Sequence, residues 1–121
     1  MSIDLILQNN PNLLPREDVR IVSVEATPYP DRRRVKVEVE ITPFRERPNL
    51  EIALEDAQGR IAASSSVIAL MQFKMAFNLH VRGADDPAGQ YIVRVLLYYE
   101  DIQTAQDTRQ AELTIPAAQS G

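Results

Sequence analysis

The residues that come closest to a hydrolytic site are the single histidine, His80, and the run of three serines, Ser64–Ser66. A serine hydrolase needs a serine nucleophile, a histidine base and an acid that orients the base. The alternation around His80 places it on the outward face of a strand, and the sequence implies no pocket there. We therefore interpret His80 as a surface residue and the serines as part of a sheet edge, and we predict no catalytic residue.

Four aspartates, Asp31, Asp56, Asp85 and Asp86, form a second candidate, because they fall in predicted turns at one end of the strands. Together they suggest calcium, which takes about six to eight oxygen ligands, usually from carboxylates at defined spacing. No Asp-x-Asp-x-Asp pattern occurs in this sequence. We favour the alternative that these aspartates cap turns, and we predict neither a metal site nor a cofactor.

The strongest run of charge is Arg32-Arg33-Arg34. On a strand Arg33 points away from its two neighbours, so that only Arg32 and Arg34 share a face, together with Lys36. This face would suit an acidic partner or a phosphate. We favour the alternative of a solvated strand start that pairs with glutamates across the sheet. The glutamates available for this pairing are Glu38, Glu40, Glu51 and Glu55.

Composition excludes several classes of function. The 121 residues include no cysteine, which excludes disulfides, thiolate catalysis and cysteine-based zinc sites. The net charge of −4 disfavours nucleic-acid binding. No apolar run approaches the ~20 residues that cross a bilayer, so we expect no membrane insertion. The N-terminus lacks the basic region of a signal peptide, and we expect a cytoplasmic protein if Met1 is the native start.

Alternation of apolar and polar residues predicts strands along most of the chain. In residues 33–42, four β-branched residues alternate with charged ones, which is typical of a half-buried strand. The predicted strands cover residues 19–26, 33–42, 50–55, 60–70, 73–81, 91–99 and 109–115. Short turns separate them, which favours an all-β fold, a single antiparallel two-sheet β-sandwich of about seven strands.

The sandwich is expected over residues 19–116, between an N-terminal arm (1–18) and a C-terminal tail (117–121). Gly59, in the turn after the third strand, is expected to adopt positive φ. The small, polar fourth strand suits a sheet edge. A helix over residues 67–79 is an alternative for that stretch, because six apolar residues could line one helix face. They are Val67, Ile68, Leu70, Met71, Met75 and Leu79.

In three features the chain resembles the immunoglobulin-like superfold, in its fibronectin type III-like and bacterial versions. They are the Gly89-Gln90-Tyr91 sequence that opens the sixth strand, the Val35/Val37/Val39 strand and the short hairpin between the third and fourth strands. The resemblance implies that Tyr91 forms a tyrosine corner, in which its hydroxyl bonds backward to the backbone. The chain departs from antibody-type domains in having neither cysteine nor tryptophan. The superfold has many functions and does not select one.

The sixth strand is apolar on both faces. Its outward face carries Ile92, Leu96 and Tyr98 beside Arg94, and an apolar patch of this kind is usually covered. One candidate cover is the arm, with its apolar residues Ile3, Leu5, Ile6, Leu7, Leu13 and Leu14. The other is a partner, either a second copy in a homodimer or a different protein.

Two loops, residues 43–48 and 100–107, are expected together at one end of the sandwich. Phe44, Tyr98 and Tyr99 beside Arg45 and Arg47 would combine aromatic and arginine side chains, as interface hot spots do. The alternative is loop packing in which the two arginines pair with Glu100 and Asp101.

The expected function is that of a non-catalytic protein-interaction or structural module. The alternative is a module that binds carbohydrate or another small ligand through Tyr98, Tyr99, Phe44 and Tyr29. With no tryptophan and only seven aromatic residues, the chain offers a sugar few stacking surfaces. We expect no enzymatic activity, because no catalytic constellation is present.

Overall fold

The computed structural model describes residues 13–82 and 86–118, and they form a two-sheet β-sandwich. The strands are β1 (Ile21–Pro28), β2 (Arg34–Ile41), β3 (Asn49–Asp56), β4 (Ile61–Val67), β5 (Lys74–His80), β6 (Gly89–Tyr98) and β7 (Asp107–Ile115). Two short 3₁₀ turns, Arg16–Asp18 and Ile102–Thr104, are the only helical segments in these ranges. The predicted all-β fold is therefore confirmed.

Each sheet is antiparallel throughout. One sheet has the strand order β1-β2-β5, and the other has the order β4-β3-β6-β7. The small, polar β4 lies at an edge, as its composition predicts. The alternative helix over residues 67–79 is wrong, because β4 ends at Val67 and β5 begins at Lys74.

The core is the apolar layer between the two sheets. β2, β3 and β6 each alternate between buried and partly exposed residues, as a strand between two environments must. Val35, Val37 and Val39 face Ile52, Leu54 and the other inward side chains of the second sheet, and all are nearly or wholly buried. Burying one such side chain stabilises the fold by about 1.5–3 kcal/mol.

The tyrosine corner that the resemblance implies is present. The Tyr91 hydroxyl donates to the carbonyl of Pro87 at 2.6 Å, and both residues are buried. Burial raises the pKa of Tyr91, so the hydroxyl stays protonated and keeps donating. This bond ties the segment that precedes β6 to the core.

The hairpin between β3 and β4 closes as its sequence predicts. Gly59 has a φ of 81°, and its N–H donates to the Asp56 carbonyl at 2.9 Å. A left-handed conformation favours glycine, because other residues bring Cβ too close to the backbone. Near the start of β4 the register shifts by one residue, which marks a β-bulge at Ala62.

The two lateral sides of the sandwich differ. On one side β1 contacts β7: the Ile21 N–H donates to the Asp107 carboxylate at 2.8 Å, and the Arg109 guanidinium donates to the Val22 carbonyl at 3.0 Å. On the other side the edges of β4 and β5 line a cleft of about 410 Å³. One side is therefore closed and the other is open.

Replacing Tyr91 with phenylalanine tests the tyrosine corner. Tyr91→Phe removes the hydroxyl that bonds the buried Pro87 carbonyl and is expected to lower the free energy of unfolding by about 1–2 kcal/mol, measured by urea denaturation. Tyr98→Phe is the matched control, because no described residue bonds the Tyr98 hydroxyl. An equal loss in the two variants would contradict the role of the corner.

Candidate functional site: the loop end

Four segments meet at one end of the sandwich, which we call the loop end: residues 13–20, 42–48, 68–73 and 99–106. The strand register places them together. Ile21 at the start of β1 pairs with Ile41 at the end of β2, and Asn49 at the start of β3 pairs with Tyr98 at the end of β6. The loop between β4 and β5 joins them, since Val67 pairs with Leu50.

Arg16 ties three of these segments together. Its guanidinium donates to Glu46 at 2.8 Å and to Glu100 at 2.8 Å, and it lies 4.5 Å from the centre of the Tyr99 ring. The hydrogen bonds to Glu100 and Glu46 raise the pKa of Arg16, so it stays charged at every relevant pH. A planar guanidinium suits this arrangement, because it can bond carboxylates and stack on an aromatic ring at once.

Tyr99, whose ring lies under the Arg16 guanidinium, also contacts the loop between β2 and β3. Its hydroxyl donates to the Glu46 carbonyl at 3.0 Å, which fixes the loop between β2 and β3. Burial raises the pKa of Tyr99 to about 12, with a smaller contribution from Glu46. Gln106 adds a further link, since its side-chain amide donates to the carbonyls of Arg16 and Val19. The loops around Arg16 are thus held in one arrangement.

The loop between β4 and β5 carries a strained residue. Ala69 has a φ of 56°, a left-handed conformation that is costly for a residue with a Cβ atom. Its N–H donates to the Asn49 side chain at 2.8 Å, and the Leu70 N–H donates to the Pro48 carbonyl at 2.9 Å. These bonds and the burial of Leu70 hold the conformation.

The consequence of this loop geometry is an exposed apolar tip. Leu70 points into the core, while Ile68 and Met71 on either side of it are 68% and 56% exposed. Ile102, in the loop between β6 and β7, is a third exposed apolar residue at this end. Arg45 is also exposed there. In the described ranges, only Val22 and Ile61 are further large apolar residues of this kind.

One predicted surface residue, Phe44, proves to belong to the core. It is fully buried, and its ring packs edge-on against Phe73 with 4.9 Å between centroids. The prediction was wrong because Leu14 lies alongside Phe44, with its N–H bonded to the Pro43 carbonyl and its carbonyl accepting from the Arg45 N–H. The end of the predicted arm thus covers the ring.

The remaining predicted residues of this end differ in their exposure. Tyr98 and Tyr99 are half-buried, Arg45 is exposed, and Arg47 is half-buried with contacts of its own. Glu100, considered a partner for Arg45 or Arg47, is held by Arg16. No sequence pattern marked Arg16, because its contacts join distant parts of the chain.

The outward face of β6 is less open than the sequence suggested. Ile92, Leu96 and Tyr98 are all half-buried between the side chains of β3 and β7. Arg94 interrupts the apolar stripe and pairs with Glu55 at 2.9 Å. The arm residues Ile3–Leu7, considered as its cover, lie outside the described residues.

The residues considered for hydrolysis do not form a site. His80 is exposed on the outer face of its sheet, directly opposite Arg34. Ser64 and Ser66 are exposed on the outer face of the other sheet, and the Ser66 hydroxyl donates to Glu51. Ser64 and Ser65 line the same cleft as His80, but among the described residues no hydrogen bond joins a serine hydroxyl to the imidazole.

The aspartates at the opposite end cap turns, as predicted. Asp31 accepts from the N–H groups of Arg33 and Arg34, and these bonds lower its pKa. Backbone donors in the same way lower the pKa values of Asp56 and Asp86. In the ranges that the structure describes, no three acidic or histidine residues gather as metal ligands, and Asp85 lies outside them.

The arginine run pairs with these aspartates. Arg32 bonds Asp86 at 2.7 Å, while Arg34 bonds Asp31 at 2.7 Å and lies over the Tyr29 ring. The predicted pairing with glutamates is wrong for these two arginines, because turn aspartates lie nearer. The glutamates have other partners: Lys36 for Glu38, Lys74 for Glu40, Arg94 for Glu55 and Ser66 for Glu51.

Comparison with known proteins identifies the fold. No protein-family model matches the chain, and no curated protein gives a significant match. A β-glucuronidase from Bifidobacterium dentium, solved with coumarin-3-O-glucuronide, matches with a TM-score of 0.62 and 16% identity over 81% of this chain and 18% of that chain. A glycosyl hydrolase family 2 member from Bacteroides cellulosilyticus matches with a TM-score of 0.61 and 16% identity, over 80% and 14% of the two chains.

A β-glucuronidase from Lactobacillus rhamnosus matches more weakly, with a TM-score of 0.51 and 19% identity over 81% of this chain and 16% of that chain. This chain therefore spans less than a fifth of the length of each of these enzymes. At such identities the matches show the fold alone, a two-sheet antiparallel β-sandwich. Within the described ranges, no helix has the length and apolar character to cross a membrane.

Relieving the strain at Ala69 tests the geometry of the tip. Ala69→Gly is expected to raise the free energy of unfolding by about 1 kcal/mol, because glycine adopts positive φ without a steric cost. Ala105, with a φ of −57°, gives the matched control. There Ala105→Gly should lower stability by about 0.5 kcal/mol. A loss of stability in Ala69→Gly, measured in urea, would contradict the strained conformation.

The raised pKa of Tyr99 predicts a pH dependence. The pKa is about 12 in the folded protein against 10.0 for the ordinary side chain, so the unfolded chain loses this proton first. The stabilisation is complete below pH 10 and is lost as pH rises towards 12. In urea titrations across this range, Tyr99→Phe should decline less steeply than wild type. An unchanged decline would show that Tyr99 is not the group responsible.

Proposed function

We propose that this domain is a non-catalytic interaction module that binds another protein through the loop end. The observation that carries the proposal is the exposed pair Ile68 and Met71, held outward on a strained loop while Leu70 anchors that loop in the core. Apolar side chains displayed in this way are costly to a monomer in water and are typical of surfaces that a partner covers.

The second support is the rigidity of the surrounding surface. Arg16, Tyr99 and Gln106 fix the neighbouring loops before any partner arrives. A preorganised surface loses less conformational entropy on binding than a mobile one, so more of the contact energy appears as affinity. Exposed Arg45 beside the apolar tip supplies the residue type that is enriched at interface centres.

The loop end is favoured over the outward face of β6 because of exposure. Ile92, Leu96 and Tyr98 are half-buried within their own sheet, and the Arg94–Glu55 ion pair crosses the stripe. A partner there would bury less new apolar surface per side chain than at Ile68 and Met71.

The fold neighbours suggest the setting in which such a module would work. In the enzymes above, the part that resembles this chain is a small share of a long polypeptide. An accessory domain that packs against a larger protein is consistent with this proportion and with the absence of a catalytic constellation in the described residues.

Carbohydrate binding is the second candidate, and the glycoside hydrolase neighbours are what favour it. The aromatic side chains argue against it. Tyr99 and Tyr29 each have a guanidinium over the ring, Tyr91 and Phe44 are buried, and Tyr98 is half-buried. A sugar would therefore find few free aromatic faces in the described part of the chain.

Affinity capture with matched variants tests the proposal. The immobilised full-length chain is incubated with lysate of its source cells, and bound proteins are quantified by mass spectrometry. The double variant Ile68→Ser/Met71→Ser should lose its specific partner by about tenfold or more, since each buried apolar side chain contributes about 1.5–3 kcal/mol. Val22→Ser is the control, because Val22 is 43% exposed but lies outside both the loop end and the β4–β5 cleft.

The opposite pattern would contradict the loop-end proposal. Retention by the double variant with loss in Val22→Ser would move the binding surface to the β1–β7 side. Saturable binding on a glycan array that disappears in Tyr98→Ala, without a protein partner, would favour the carbohydrate module instead.

A further inference from the structure

We propose that the free edge of β4 binds an extended, acidic peptide segment of a partner protein, which joins the four-stranded sheet as an added strand. This site is separate from the loop end and does not depend on it.

Apart from the bulge at Ala62, β4 lacks the features that normally prevent strand addition. Its sequence, Ile-Ala-Ala-Ser-Ser-Ser-Val, contains no charged residue and no proline. Natural sheet edges are usually protected by charges, proline or a covering element, because an unpaired edge is a template for another strand. The other edges of this sandwich are protected: β7 carries Arg109 and Glu112 and contacts β1, and β5 carries Lys74 and His80.

The backbone of β4 offers free hydrogen-bonding groups. In an antiparallel pair, residues alternate between those that bond the partner strand and those that point away from it. Counted from the Asp56–Arg60 bond that closes the hairpin, and past the bulge at Ala62, this alternation directs Ser64 and Ser66 away from β3. Their side chains are small and exposed, so they leave room for an approaching backbone.

The cleft beside this edge has space and a defined end. It measures about 410 Å³ and is lined by residues of β4 and by Asn78, Leu79 and His80 of β5. At one end the Arg82 N–H donates to the Ala62 carbonyl at 3.3 Å, which brings the two walls together. An added strand would therefore run from this point along Ser64 and Ser66 towards the loop end.

The charge of the cleft selects the occupant. Of the described residues that line it, Arg82 carries a positive charge, His80 brings an imidazole, and none is acidic; the Glu51 carboxylate lies beyond them, bonded to Ser66. Both side chains are exposed at the rim. This local balance is the reverse of the whole chain, whose net charge is −4. A second copy of the chain would pair through its own β4, which carries no charge to match the basic side chains of the cleft. Charge complementarity therefore favours an acidic peptide from another protein.

Fluorescence polarisation with a designed probe tests the site. The probe is a fluorescein-labelled peptide of about eight residues, the length of one strand, with alternating valine and glutamate. A peptide in which lysine replaces glutamate is the charge control. The full-length protein should bind the glutamate peptide saturably and the lysine peptide about tenfold more weakly, as expected when charges match in one case and repel in the other.

Substitutions at the edge separate strand addition from other binding. Ser64→Pro removes an N–H that points away from β3 and should weaken probe binding about tenfold without unfolding the domain, because proline is tolerated on the free side of an edge strand. Ser64→Thr, which keeps the N–H, should bind like wild type. Arg82→Glu should reverse the preference between the two peptides. Circular dichroism verifies that each variant is folded.

Several results would overturn the proposal. One is equal binding, or none, of both peptides to the folded wild type. Another is light scattering that shows a dimer which Ser64→Pro converts to a monomer, because a second copy would then occupy the edge. A third is probe binding that appears only after deletion of residues 1–12, because that segment would then be the natural occupant.

Discussion

The apolar layer between the two sheets is the interaction on which the rest of the structure depends. Every strand contributes inward side chains to it, and the interior strands β2, β3 and β6 are buried at alternate positions along their length. Because a slip of one residue would turn every inward side chain outward, the layer fixes the register of each strand pair. The register in turn brings the four loop segments together at one end and the turn aspartates at the other.

The loop end shows how a small domain can display apolar groups without losing order. Buried neighbours hold its exposed residues in place. Leu70 is buried in the core between Ile68 and Met71, and Phe44, the neighbour of Arg45 in sequence, packs against Phe73. Arg16 then joins loops that are far apart in sequence through two carboxylates and an aromatic ring. The closed side of the sandwich has a comparable link, in which the carboxylate of Asp107 accepts the first N–H of β1. The β4–β5 side has no such link in the described residues beyond the bond between Arg82 and Ala62.

The sequence predicted the parts of this structure that follow from local rules. Alternation of apolar and polar residues located all seven strands, glycine located the β3–β4 turn, and the Gly-Gln-Tyr sequence located the tyrosine corner. Asp31, Asp56 and Asp86 were correctly interpreted as turn caps. Each of these rests on contacts within a few residues or on a period of two, which a single sequence displays.

The candidate site was harder to predict, because its residues meet through long-range contacts. Phe44 looks like an exposed aromatic residue in a loop until Leu14, thirty positions earlier, packs beside it. The exposure of Ile68 and Met71 depends on positive φ at Ala69, a conformation that alanine rarely adopts and that no sequence pattern marks. The apolar run 67–71 was also compatible with one face of a helix. The sequence pattern therefore did not decide the structure of this stretch, and the exposure of Ile68 and Met71 could not be predicted from it.

The sandwich is closed along β1–β7 and open along β4–β5. Amide hydrogen exchange of the free, full-length protein, followed by NMR, distinguishes the two sides. Exchange is expected to be slow at Ile21, whose N–H is bonded to Asp107. It is expected to be fast at Ser64, whose N–H points to the free edge. Protection of Ser64 equal to that of Ile21 would mean that the edge is already paired, and would contradict the open side.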